Sequence, residues 1–214
     1  MIIKSEIKLL TTADLPVLVT IHQTAFPDSA ITRLGQEAIK RYYHWLLSGP
    51  HPEAFRIGLF NDNQLLGFCF GGRFNSATGG FLQQNRFFIA GRVLTHPWFI
   101  FNPLFRERIK AGFFILRRIR QSRSTSTIAW QELANPSFGI LAIATHPSFH
   151  GQGIGKCLMI AAEEQAQQKG FRQMHLTVNP HNYRAVGFYE GLGWQKQKTD
   201  DVWHGVMRKN LTTT

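Results

Sequence analysis

One stretch of this chain constrains its fold more than any other: Ile140-Leu-Ala-Ile-Ala-Thr-His-Pro-Ser-Phe-His-Gly-Gln-Gly-Ile-Gly-Lys156. An apolar strand breaks at Pro147, the chain turns through Gly151, Gly153 and Gly155, and a helix opens. Glycines at these places leave no side chain between the backbone N–H groups and an approaching group. The N–H groups of a helix's first turn lack partners, and the helix dipole favours negative charge there. The segment therefore reads as a cradle for a pyrophosphate.

The spacing decides which pyrophosphate. A dinucleotide fold needs G-x-G-x-x-G and a nucleotide-triphosphate loop needs G-x-x-x-x-G-K-[ST]. The glycines here give G-x-G-x-G, which fits neither. His150-Gly151-Gln152-Gly153-Ile154-Gly155 instead resembles the [Q/R]-x-x-G-x-[G/A] signature of the GNAT acetyltransferases, with His150 standing where Arg or Gln is usual. A second segment, Val178 to Trp194, resembles that family's V-x-x-x-N-x-x-A-x-x-x-Y…L-G-[FW] element through Asn182, Ala185, Tyr189, Leu192, Gly193 and Trp194. The clear resemblance runs over about residues 139–208.

The resemblance implies an α/β protein of the GNAT fold, a mixed, twisted central sheet flanked by helices. It also implies acetyl-CoA as acyl donor and direct transfer of the acetyl group to an amine. Ile143, Ala144 and Thr145 on the core strand would present backbone groups to the pantetheine and the thioester carbonyl. His150, Gly151, Gln152, Gly153, Ile154, Gly155 and Lys156 would hold the phosphates. Tyr189 matches the tyrosine that protonates the leaving thiolate, although an aromatic packing role beside Phe188 is the alternative. Asn182 either caps the following helix, as asparagine does well, or touches the pantetheine.

No acidic residue lies on the strand at 139–145, so the general base is sought nearby. Glu132 stands a few residues upstream and His146 at the strand end; His96 and Asp28 are further options. His22 reads as a half-buried helix residue. The histidines lack metal-ligand spacing, and no metal is expected.

A chain of 214 residues suits one domain, 1–214. Cys69 and Cys157 sit in apolar surroundings and read as buried thiols in a reducing compartment. The start has no apolar core long enough for a secretion signal, so a cytoplasmic protein is expected. Strands are predicted at 2–10, 55–60, 64–72, 139–145, 173–178, 194–197 and 202–208. The glycine pair at 71–72 is read as the end of its strand. Helices are predicted at about 15–26, 32–47, 152–169 and 182–191.

Residues 73–135 form an insertion of about sixty residues, too long for a structureless loop in a compact domain. It is rich in aromatic and basic residues, including Arg117 and Arg118, and its stretch 105–120 has helical periodicity. The net charge of +11 exceeds what one CoA requires and hints at an anionic acceptor or surface. A small amine, in particular an amino sugar or nucleotide-linked amino sugar, is the first expectation. A peripheral contact with an anionic membrane, or a non-catalytic CoA sensor, is the alternative. Nucleic acid is disfavoured because no recognised module accompanies the charge. The oligomeric state is open.

Overall fold

A computed structural model describes residues 5–51, 53–73, 77–95 and 138–211. Among the described residues the strands join in one seven-stranded sheet. In chain order they are β1 (Ser5–Leu9), β2 (Glu53–Asn61), β3 (Gln64–Arg73), β4 (Phe138–Thr145), β5 (Gln173–Thr177), β6 (Gln195–Thr199) and β7 (Val202–Asn210). Their spatial order is β1-β2-β3-β4-β5-β7-β6, antiparallel throughout except for the parallel pair β4–β5. The helices are α1 (Leu15–Ala25), α2 (Ala30–Arg33), α3 (Gln36–Ser48), α4 (Ala77–Gln84), α5 (Arg86–Thr95), α6 (Ile154–Gln168) and α7 (Tyr183–Gly191).

Alternation along the strands sorts side chains onto two cores. Phe55, Ile57, Leu59 and Cys69 face α6 and α7, and meet Leu158, Met159, Tyr189 and Trp194. Phe60, Phe68 and Phe70 face α1 and α3, and meet Leu18, Ile21, Ile39 and Tyr43. Phe68, Phe70 and Tyr43 are fully buried, each ring within 5.6 Å of the others centre to centre. Burying one such ring stabilises by roughly 1.5–3 kcal/mol.

The elements follow local chemistry. Thr11 and Asp14 close the expected capping box ahead of α1. The predicted helix at 32–47 is instead two, α2 and α3, because Gly35 takes φ +98°, a conformation open to glycine, and breaks the chain between them. β3 does not end at Gly71-Gly72 but pairs through them with β2, Gly72 opposite Ala54. The described start of the insertion forms α4 and α5, while the helical pattern at 105–120 lies outside the described residues, as do Arg117 and Arg118. None of the described helices is long and apolar enough to cross a membrane. Cys69 is buried as expected, but Cys157 is exposed, because α6 turns Leu158 and Met159 to the core and its neighbour Cys157 to solvent.

His22 is buried rather than half-buried, 6% exposed, and organises the joint between α1, α2 and α3. Its Nδ1 lies 2.8 Å from the Tyr43 hydroxyl and its Nε2 3.2 Å from Ser29 Oγ. Ser29 Oγ is 2.8 Å from Thr32 Oγ1, which donates to the Phe26 carbonyl at 2.8 Å. A carbonyl can only accept, so the protons along this chain have one consistent order. Thr32 donates to Phe26, Ser29 to Thr32, His22 Nε2–H to Ser29, and Tyr43 to His22 Nδ1. A second proton on the ring would take the acceptor from the fully buried Tyr43.

Burial holds the His22 pKa down at about 4, against an ordinary 6.5. With the folded value below the unfolded one, this group's contribution is complete above about pH 6.5 and lost as pH falls through 4. The shift corresponds to at most about 3 kcal/mol. His22→Gln should therefore cost stability at pH 7 but flatten the loss between pH 6.5 and 4 relative to the unaltered chain. Urea midpoints of both proteins across that range measure it; parallel slopes would contradict the buried neutral histidine.

Candidate active site

The site begins where β5 leaves β4. The two pair only from Phe138–Ile140 to Met174–Leu176. Beyond that, Val178 N–H adds one more rung to the β5–β7 ladder, to Gly205 O at 2.9 Å, and Asn179 and Pro180 take the chain out of the sheet. On β4, Ile140 pairs with Gly71 and Ala142 with Phe70, so Leu141 is the extra residue of a bulge. A bulge bends its strand. It also flips the alternation: Phe138 and Ile140 face the α6 core, whereas Ala144 faces the α1–α3 core.

The result is a gap lined by free backbone. His146 N–H donates to Leu66 O of β3 at 2.8 Å. Every second residue of a strand points its peptide groups the same way, so Ala144 shares that side. Ile143 and Thr145 turn their N–H and C=O toward the gap. Thr145 O is met there by His150 Nε2 at 3.3 Å.

At the mouth of the gap the chain makes the cradle. Residues Pro147–Phe149 form a single 3-10 turn, and α6 follows with Gly153 as its N-cap. Gly151 and Gly153 have φ +80° and +79°, which other residues rarely adopt. A Cβ placed on either would touch nothing within 4 Å. No side chain caps α6, so the first-turn N–H groups of Ile154, Gly155 and Lys156 are left to an incoming anion. Gly155 has a different task. A Cβ there would come within 3.3 Å of the Phe188 ring and 3.9 Å of Thr145 Cγ2, so its bareness lets α7 approach α6. Gln152 and Lys156 are exposed beside the cradle, and Ile154 anchors the helix in the core.

Tyr189 lies under the gap, 9% exposed, in the same core as Ile143 and next to Phe188 and Trp194. Burial raises its pKa, and the neighbouring Cys69 thiol adds to the rise, so the phenol keeps its proton well past neutral pH. Cys69 is the cross-strand partner of Ile143, which sets Tyr189 near the middle of the gap. Asn182 caps α7, accepting from Ala185 N–H at 3.1 Å.

Of the base candidates, His146 is a cap: its Nδ1 accepts from Ser148 N–H at 3.3 Å, which leaves the proton of a neutral ring on Nε2. Asp28 is exposed and paired with Arg33 at 3.1 Å. Glu132 and His96 lie outside the described residues. No group of acidic, cysteine and histidine side chains able to hold a metal occurs among the described residues. Sequence reasoning missed the bulge at Leu141, which the unbroken apolar run at 138–144 hides, and the contacts by which Phe188 meets Gly155 and Cys69 pairs across to Ile143, which only the three-dimensional arrangement reveals.

An apolar strand that runs through a glycine-lined turn into a helix is what the sequence resemblance anticipated. The model of the acetyltransferase (GNAT) family matches residues 16–194. This chain belongs to the GNAT family. Mycothiol acetyltransferase of Paenarthrobacter aurescens is 32% identical over 77 residues, 36% of this chain and 24% of that protein. Thialysine N-epsilon-acetyltransferase of Bos taurus is 37% identical over 62 residues, 29% of this chain and 36% of that protein. The matches thus span about a quarter to a third of these curated relatives. Among solved structures, the PaiA N-acetyltransferase of Thermoplasma acidophilum in complex with coenzyme A superposes with a TM-score of 0.56 at 16% identity, over 97% of this chain and 99% of that one. The ribosomal-protein-S18-alanine N-acetyltransferase of Escherichia coli gives 0.55 at 15% identity, over 98% and 96%. At such identities the likeness is one of fold.

The geometry makes Gly153 the position to test in this GNAT cradle. CoA at a hundred times its Kd should stabilise the protein by about 2.7 kcal/mol. Gly153→Glu, which puts bulk and negative charge in the open space, should abolish that gain in a thermal melt. An unchanged CoA-induced shift in the variant would contradict the assignment of the phosphates to this turn.

Proposed function

We propose that this chain is an acetyl-CoA-dependent N-acetyltransferase that moves the acetyl group directly to the amine of a small molecule, and that residues 1–214 form one domain with an insertion at about 73–135. The observation that carries the reading is the gap between β4 and β5 running straight into the uncapped N-terminus of α6. When bound, acetyl-CoA supplies the activated thioester. The chain's part is to hold and orient. Backbone donors at 151–156 take the phosphates, and the Ile143 peptide groups and Thr145 N–H pair with an extended chain as a neighbouring strand would.

Acyl transfer places negative charge on the carbonyl oxygen, and Ile143 N–H offers a fixed donor there. The departing sulfur needs a proton, and Tyr189 Oη holds one in the right state because burial keeps the phenol neutral. Glu132 and His146 are our candidates for receiving the amine's proton through water; His146 would first have to release its cap on Ser148. Asn182 shapes the gap from the start of α7, whereas Ala144, expected to present backbone groups there, turns its peptide groups to β3 and its side chain to the α1–α3 core.

Among amines, we favour an amino sugar or a nucleotide-linked amino sugar. The net charge of +11 supports an anionic acceptor. Acetyl-CoA consumption measured against amines, amino sugars, polyamines and peptides tests this. The reading expects CoA release with small amines, strongest for the anionic amino sugars, and no release with any amine would refute it.

Tyr189→Phe should lower kcat by roughly 10²–10⁴-fold, with CoA affinity and melting temperature little changed because the ring still packs against Phe188 and Trp194. Stopped-flow turnover and CoA titration separate the two effects. Normal turnover in the variant, with chemistry rate-limiting, would make Tyr189 a packing residue.

A further inference from the structure

The face of α3 turned away from the sheet closes with α4 and α5 around a cleft of about 340 Å³. Glu37, Lys40, Arg41 and His44 line it from α3, and Gln84 and Asn85 from the other side. Its walls are fixed by contacts. Arg92 Nε of α5 donates to Leu34 O at 3.0 Å, just before α3. The Arg41 guanidinium stands 4.6 Å over the Phe88 ring, donates to Glu37 at 2.7 Å, and reaches Asn85 Oδ1 at 3.4 Å. Asn85 is 8% exposed, and its amide donates to Phe81 O at 3.0 Å.

The charges in the cleft do not cancel. Glu37 is taken up by Arg41, its neighbour one helical turn on. Lys40 makes no ion pair among the described residues. The Ser48 hydroxyl donates its one proton to His44 O at 2.6 Å, so His44 Nδ1–H donates to Ser48 Oγ at 3.2 Å and the Nε2 of a neutral ring is left as an acceptor. An ammonium and a guanidinium already oriented by three contacts thus share one small space. A tetrahedral anion can accept from both, and charge-assisted hydrogen bonds are the strong ones.

We propose that this cleft is a second anion site, which takes the phosphate group of a small molecule on Lys40 and Arg41. It is separate from the cradle: α3 covers one face of the sheet and α6 the other. The proposal does not depend on the acyl-transfer reading.

Inorganic phosphate added to the full chain, with CoA saturating the cradle, tests the site, with chloride at equal ionic strength as control. Calorimetry should show saturable phosphate binding that chloride does not reproduce. Lys40→Glu should weaken it about tenfold or more while leaving CoA affinity in place. Lys40→Met, a milder change at this exposed position, should weaken it in the same direction should the reversal fail to fold. Gly153→Glu, which disables the cradle, should leave phosphate binding intact. Phosphate acting no differently from chloride overturns the proposal. So does undiminished binding in the Lys40 variants, or loss of binding in Gly153→Glu, which would place the phosphate at the cradle.

Discussion

Everything at the candidate site depends on β4 and β5 parting after Ile140. In a continuous parallel sheet, the peptide groups of Ile143 and Thr145 would be spent on the neighbouring strand. Two local facts prevent that. The bulge at Leu141 bends β4, and Pro180, which has no N–H, follows soon after β5's last rung on β7, from Val178 N–H to Gly205 O. The gap is therefore set by the courses of the two strands. Burial of Phe138 against Phe55 and Phe171 pins the closed end.

The three glycines of the cradle divide the remaining work. Gly151 and Gly153 give the backbone a turn that other residues resist and leave open space above it. Gly155 lets Phe188, and with it α7, come close to α6. That approach carries Tyr189 beneath the gap, on the Cys69 side of the sheet. One short segment thus sets both the uncapped helix start and the position of Tyr189. On the opposite face, the order of protons from Tyr43 through His22 to Phe26 ties α1, α2 and α3 into one unit. α5 is fastened to that unit through Arg92.

Much of this was legible in the residues. The core strand expected at 139–145 is Phe138–Thr145, and the helix expected at 152–169 is Ile154–Gln168. Both carry strong punctuation, Pro147 at one boundary and Gly170 at the other. The hairpin around Asn61-Asp-Asn63 and the short helix after Asn182 were equally marked by turn and cap residues. What pattern could not show is tertiary. An all-apolar run gives no sign of where its alternation flips, so the bulge at Leu141 was hidden. Gly35 reads as an ordinary helix residue until α2 and α3 are seen to part there. The exposure of Cys157 depends on which stripe of α6 meets the sheet, and the burial of His22 on Tyr43, twenty-one positions away in sequence, being there to satisfy it.

The central claim is that the gap and the cradle form one continuous site for acetyl-CoA. Amide hydrogen exchange with and without CoA tests it most directly, since exchange reports on the very N–H groups the account assigns. The account predicts new protection at Ile143, Thr145 and the amides of 151–156, with β1 and β2 unchanged. Protection confined to other elements, or none at these amides when CoA is saturating, would contradict it.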